Sequence, residues 1–263
     1  GPNGRAASCQ IRHGAGYSEW RKISFGLEQD LRVFVPVNDP VKIIRLRLTN
    51  HTARHRRITA TYYVDWLLGA LRSVSRSTIC CSYDPDHHAI TARNSWSPDF
   101  SGQVAFLTAN HQPHGLTTDR REFLGSEGNL ENPAGLGRWG LEGLASAGTD
   151  PCGAYQVHCE LEPGASQEIV FLLGQGADNQ QAQSLMADWK EPARIDAAFH
   201  QLNDHWDGLL GALEVQSPDP AFDIMINRWL LYQSMASRIL ARAGFYQASG
   251  AIEIGRAACR GRV

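Results

Sequence analysis

No stretch of this chain stays apolar for the roughly 20 residues that a membrane-spanning helix needs. Its opening residues, GPNGRAASCQ, have no apolar core and do not read as a secretory signal. Neither charge sign is in excess: the formal net charge is −2 over 263 residues, which gives nucleic acid or an anionic membrane no hold on it. Internal repeats and low-complexity tracts are also missing. The six cysteines, Cys9, Cys80, Cys81, Cys152, Cys159 and Cys259, form no C-x-x-C pair, so the spacing of a zinc site is absent. Cys80 and Cys81 are adjacent and point to opposite faces of a strand. Such usage implies reduced, structural thiols and a cytoplasmic protein.

The remaining composition is that of an ordinary globular protein, 43% hydrophobic and 20% charged, long enough for one large domain or two smaller ones. From Cys9 to about Gly174 short strands are separated by turn residues. Leu27, Leu31, Val33 and Val35 alternate with Glu28, Asp30, Arg32 and Phe34. Residues 43–49 alternate too, with Arg45 and Arg47 outward, and Asn50-His51-Thr52 turns the chain. Residues 58–68 are a long β-branched and aromatic run. Further strands are expected at 78–83, 89–94, 104–108, 155–161 and 168–173. Many strands at short spacing predict a large antiparallel sandwich. Residues 120–150 are rich in Gly and Asn without periodicity, the pattern of a functional or poorly ordered loop.

After Gly174-Gln175-Gly176 the pattern becomes helical. Helices are expected over 179–189 and 192–210, the second with Ile195, Phe199, Leu202, Trp206, Leu209 and Leu210 on one side. A last helix is expected from Pro218, capped by Ser217 and stopped at Gly244. Its apolar positions, among them Phe222, Met225, Ile226, Trp229 and Leu230, span a wide face, as in a helix packed on two sides.

Several groups could carry chemistry. His87-His88 follows Asp84-Pro85-Asp86, which reads as a hairpin turn before a metal site. Trp96, Trp139 and Tyr155 are candidate faces for a pyranose ring. Asp119-Arg120-Arg121-Glu122 heads the irregular loop, and a carboxylate beside a guanidinium can bind hydroxyls. Glycoside chemistry needs a positioned carboxylic acid, for which Asp65, Asp119, Glu122 and Asp223 qualify by type alone. The residues by themselves stop at a β-sandwich followed by helices, leaving open a non-catalytic carbohydrate-binding or structural module.

A resemblance goes further. Residues 12–18 (RHGAGYS), 26–30 (GLEQD), 33–36 (VFVP), 39–43 (DPVKI), 117–125 (TTDRREFLG), 171–176 (FLLGQG) and 227–233 (NRWLLYQ) occur in an order similar to glycoside hydrolase family 94. Within the family the likeness is greatest to the phosphorylase-like region of cyclic β-1,2-glucan synthases. It implies a galactose-mutarotase-like β-supersandwich over 1–176, helical linkers over 177–214 and, over 215–251, the first helix of an (α/α)6 catalytic barrel. It implies phosphorolysis of a β-glucan oligosaccharide with inversion, inorganic phosphate as co-substrate, no cofactor, no metal and a homodimer. By the same likeness Asp119, Arg120 and Gln247 are expected at the substrate-binding rim. No catalytic residue is expected here: after Ala251 the family's Arg-Asp pair and Gln-Asp do not follow, and its Trp-Asn-Asp-Gly general acid would come later still. Residues 252–263 lack the family pattern and read as a non-family tail, and the sandwich lacks first strands, so a fragment of a longer enzyme is expected. Whether the parent is a free phosphorylase or a synthase tethered to the inner membrane stays open, with no membrane contact by this segment.

Overall fold

A computed structural model describes residues 9–239 apart from 70, 97, 99, 127, 128, 144, 146–149 and 213. The chain divides into two compact units, Gly1–Phe199 and His200–Val263.

The first unit takes its shape from period-two alternation. Strands β1 (Cys9–Gly14), β2 (Tyr17–Ser24), β3 (Leu27–Phe34), β4 (Val41–Asn50), β5 (Arg56–Asp65), β6 (Ile79–Asp84), β7 (Ala89–Asn94), β8 (Val104–Ala109), β9 (Gly115–Asp119), β10 (Pro151–Leu161) and β11 (Ser166–Gly176) form two sheets. The larger has the order β1-β2-β3-β4-β11-β8-β7-β6 and the smaller β5-β10-β9. Every pairing is antiparallel. Between the sheets lie Ile44 and Leu48 of β4, Ile90 of β7, Leu107 of β8, Ile169 and Phe171 of β11, and Tyr155 and Val157 of β10. Each such side chain contributes about 1.5–3 kcal/mol by leaving water.

Helices cover the other face of the large sheet. Helices α3 (Asn179–Asp188) and α4 (Pro192–Leu210) follow two short ones, α1 (Arg72–Ser75) and α2 (Arg120–Leu124). Asp178 caps α3 by accepting from Gln181 N–H at 2.8 Å. On the sheet, Phe199 of α4 meets Tyr17 and Phe34 edge-on, at 5.1 and 5.3 Å between centroids. Arg45 reaches Asp196, and the indole N–H of Trp189 donates to Asp39 at 3.0 Å. This second covered face changes the expected phase at the end of β3. Phe34, expected with the polar positions, is buried under Phe199, whereas Val35 is 47% exposed.

The expected loop over 120–150 is largely a built cap on the small sheet. Phe123, Leu124 and Leu141 pack on Ala154 and Tyr63, and the rings of Tyr63 and Phe123 stack at 4.7 Å.

In the second unit the helix begins two residues later than the sequence suggests. Asp219, not Ser217, is the N-cap of α5 (Pro220–Ile224), accepting from the N–H groups of Ala221 and Phe222 at 2.9 and 3.4 Å. Proline explains the shift. Pro220 disfavours helical backbone at Asp219, which a helix starting at Pro218 would require. The Ser217 N–H instead donates to the Asp223 carboxylate. The helix runs on through a π-helical turn (Met225–Trp229), α6 (Leu230–Ser234) and a second π-helical turn (Met235–Ile239). Trp206 touches Tyr232 edge-on at 4.9 Å, and Arg228 pairs with Asp207 at 2.5 Å. No residue from Pro220 to Ser234 is buried. Gly244, the expected helix stop, lies outside the described residues.

Candidate functional site

One end of the small sheet gathers the charged candidates. β5 ends at Asp65, β9 ends at Asp119, and β10 begins opposite both, with Cys152 facing Asp65 and Pro151 facing Asp119. Helix α1 follows β5 and brings Arg72; α2 follows β9 and brings Arg120. Two guanidiniums therefore meet two carboxylates. Arg72 lies 3.2 Å from Asp65 and 2.7 Å from Asp150, while Arg120 lies 3.3 Å from Asp65 and 3.8 Å from Asp150. The Arg120 N–H donates to the Asp150 carbonyl at 2.9 Å, fixing the start of α2 against the entry to β10.

The electrostatics follow from this ring. Burial works against the Arg72 charge, but Asp150 and Asp65 outweigh it and raise its pKa. Tyr63 donates its hydroxyl to Asp65 at 2.6 Å. Burial first, then the Asp65 charge, push that phenol well above the usual tyrosine range. Burial and then Asp65 likewise raise the Cys152 thiol, which is chemically quiet.

Asp119 is committed to structure. Its Oδ1 accepts from Arg121 N–H at 2.8 Å, capping α2. Arg120 turns to Asp65 and Asp150, its buried Nε lying 3.3 Å from Asp65 Oδ1. Glu122 accepts from Glu142 N–H at 2.7 Å through one oxygen, and its other oxygen is buried without a partner. One carboxylate oxygen is thus left over at this end of the sheet, an acceptor suited to a hydroxyl group. Asp223 is held by Ser217, and Asp65 by Tyr63 and both arginines. Gln247 lies outside the described residues. Arg72 and Asp150, which complete the ring, carry no local sequence signal. They are 78 residues apart and only the fold joins them.

The aromatic candidates separate. Tyr155 is fully buried and donates to the His111 carbonyl at 2.8 Å, a core role that removes it from any platform. Trp96 and Trp139 are 68% and 66% exposed. Trp139 is braced by His114 and His158, with centroids at 5.0 and 4.9 Å. His87 and His88 close the β6–β7 hairpin, where Asp84 accepts from the N–H groups of Asp86 and His87. Burial raises the Asp84 carboxyl, but the hydrogen bonds from His87 prevail and hold it below its usual range. Cys80 is exposed and Cys81 buried, on opposite faces as the adjacent pair requires, and both are free thiols.

Comparison with known proteins decides the family. The model described as glycosyl hydrolase 94, supersandwich domain, matches residues 2–192. The chain belongs to glycoside hydrolase family 94. The catalytic-domain model of the same superfamily matches residues 205–257. A cyclic beta-(1,2)-glucan synthase of Rhizobium meliloti (strain 1021) is 32% identical over 248 residues, covering 94% of this chain and 9% of that protein. An N,N'-diacetylchitobiose phosphorylase of Vibrio furnissii is 26% identical over 255 residues, covering 95% of this chain and 32% of that protein. A solabiose phosphorylase of Paenibacillus borealis is 28% identical over 240 residues, covering 88% and 30%. The chain therefore spans between 9% and 32% of the length of these relatives. The expected fold class holds for this family 94 chain: a mainly β supersandwich with helices at the C-terminal side, and no closed barrel among the described residues.

Proposed function

We propose that this chain is the supersandwich, the linker helices and the first barrel helix of a family 94 enzyme that moves a glycosyl group between a β-glucan oligosaccharide and inorganic phosphate. One observation carries the reading. The helix opened by Asp219 is well capped, yet Phe222, Ile224, Met225, Trp229, Leu230 and Leu231 are each between 40% and 64% exposed. A face that apolar is unusual on a monomer and suits a helix built to be covered by others. The catalytic-domain match over 205–257 supports the same assignment. The domains are then 1–176, 177–214 and 215–251.

The chemistry is phosphorolysis with inversion. A carboxylic acid protonates the leaving glycosidic oxygen while phosphate attacks the opposite face. The described carboxylates Asp65, Asp119, Glu122 and Asp223 are engaged in caps, ion pairs and backbone hydrogen bonds. We therefore assign the acid and the phosphate-holding groups to the helical domain beyond the described residues. Arg120, aimed by the α2 cap at Asp119, together with Gln247, is assigned to the rim of the substrate site in a homodimer of the whole enzyme.

The test is direct. Incubated with β-1,2-gluco-oligosaccharides and phosphate, the purified 263-residue chain is expected to release no glucose 1-phosphate. Any release above a boiled control overturns the assignment of the acid. A second reading, a carbohydrate-binding sandwich without chemistry, draws on the braced and exposed Trp139. It predicts oligosaccharide binding by this chain that Trp139→Ala abolishes.

A further inference from the structure

The hairpin between β2 and β3 turns on two residues, Phe25 and Gly26, both with positive φ, 51° and 74°. Such a turn favours Asn-Gly, and an aromatic residue in left-handed backbone is strained. Gly26 is needed for a second reason, since a Cβ there would lie 2.4 Å from the Thr52 methyl. Packing does not explain Phe25, because it is 79% exposed. Beside it run the β4–β5 connection and the start of β5, His51-Thr52-Ala53-Arg54-His55-Arg56-Arg57, with three arginines and two histidines in seven residues. Phe25, Arg54, His55 and Arg56 line an open cavity of about 440 Å³.

The basic loop is held rigid. Asn50, fully buried, donates to the carbonyls of Arg54, Leu161 and Glu162 at 2.8, 3.0 and 3.2 Å. Its oxygen accepts from the Thr52 N–H and hydroxyl. Arg56 donates to the Phe25 carbonyl at 2.5 Å, tying the loop to the strained turn. The nearby charges are unevenly paired. Glu28 takes Arg21 and His51; Glu160 takes Arg57 and, at 3.7 Å, His55; Glu162 is 3.9 Å from His55. Among the described residues neither Arg54 nor Arg56 has a carboxylate partner. Two guanidinium groups and a bare aromatic ring therefore face one concavity.

We propose that this cavity is a binding site for an aldose phosphate, with the phosphate on Arg54 and Arg56 and the pyranose face on Phe25. Guanidinium forks match phosphate oxygens, and apolar ring faces are what an exposed phenyl offers a sugar. The sugar half of this assignment rests on the function proposed above, whose product is a sugar phosphate; the phosphate half rests on the arginines alone.

Calorimetric titration of the full chain tests it, with α-glucose 1-phosphate, inorganic phosphate and glucose as probes. Glucose 1-phosphate is expected to bind one to one, about tenfold more tightly than phosphate, with glucose silent. Arg54→Ala is expected to weaken it by about tenfold or more, since among the described residues that guanidinium has no carboxylate partner to lose. Phe25→Asn suits the turn, so it is expected to raise the melting temperature while reducing glucose 1-phosphate affinity to that of phosphate. Equal affinity for phosphate and glucose 1-phosphate, no binding by the folded chain, or undiminished binding by Phe25→Asn each overturns the site. Phosphorolysis by a chain extended through its helical domain separates the two readings. Activity without glucose 1-phosphate binding here sinks this site alone; binding here without activity sinks the proposed reaction and leaves the site standing.

Discussion

Tyr155 and Trp229 are both large aromatic residues in regular secondary structure, and they sit in opposite situations. Tyr155 is wholly enclosed between two sheets, and its hydroxyl is satisfied by the His111 carbonyl. Trp229 is 44% exposed on a helix none of whose residues from Pro220 to Ser234 is buried. The first unit is held by apolar area removed from water. The helix from Pro220 to Ser234 has its cap and local hydrogen bonds in place, but none of its apolar side chains is buried. Local signals are enough to specify a helix, yet most helical stability in proteins comes from packing the apolar face. The contrast separates a finished core from an apolar helix face still half in water.

Substitutions on both sides can break or sharpen that contrast. The largest effect is expected from Phe171→Ala, which removes a ring stacked at 5.6 Å on Tyr62 and edge-on to Tyr155 at 6.2 Å. It should cost about 3–5 kcal/mol in urea unfolding. A loss below about 1 kcal/mol would mean that the sandwich is not the tightly packed unit described. Next comes the ring of charges at the end of the small sheet. Asp150→Ala should cost about 1 kcal/mol, because its partners are part-solvated, and a double-mutant cycle with Arg72→Ala should show coupling. Strict additivity would mean that the ring is ornamental to stability.

A smaller effect concerns acid. Hydrogen bonds from His51 and then Arg21 hold the Glu28 carboxyl below its ordinary value of 4.5. A depressed carboxylate contributes stability that is complete above that ordinary value and is lost as pH falls through the folded one. Melting temperature should therefore drop on acidification below about pH 4.5, and Glu28→Gln should flatten that part of the curve. The smallest effect on folding is expected from Trp229→Ser, within about 0.5 kcal/mol, because the site is already half in water. Its signature should instead be weaker binding of an apolar dye and less self-association. A large loss of stability would place Trp229 in a core and erase the contrast.

Most of the sandwich was legible because β4, β5, β7 and β11 alternate or run apolar between turn residues. β9, Gly-Leu-Thr-Thr-Asp, carries no strand pattern of its own. Its Thr117 and Thr118 are polar, and their burial, on opposite faces of the strand, is a tertiary outcome. Phe34 departs from the phase that alternation predicts because Phe199 of α4 covers the sheet face assigned to solvent. Ser217-Pro218 and Asp219-Pro220 are equivalent as cap-proline pairs, and only the restriction that Pro220 places on its predecessor separates them. At the site, the sequence pointed to Asp119 and Arg120 through a family motif. It was silent on Arg72 and Asp150, since an ion pair across 78 residues leaves no local pattern.

The register of the large sheet also sets an order of events for the growing polypeptide. β4 pairs with β11, and Thr49 meets Ser166 across 117 residues; β5 and β10 are likewise 101 residues apart where Ile58 meets Cys159. Contacts this distant in sequence make folding slow, on the order of milliseconds to seconds. Until β11 leaves the ribosome, Ile43, Ile44, Leu46 and Leu48 lie along an open β4 edge with no strand to close it. Synthesis or refolding at high concentration therefore sets the arrival of β11 against the arrival of another molecule's β4. Slow synthesis, dilution and low temperature should all favour the native sheet.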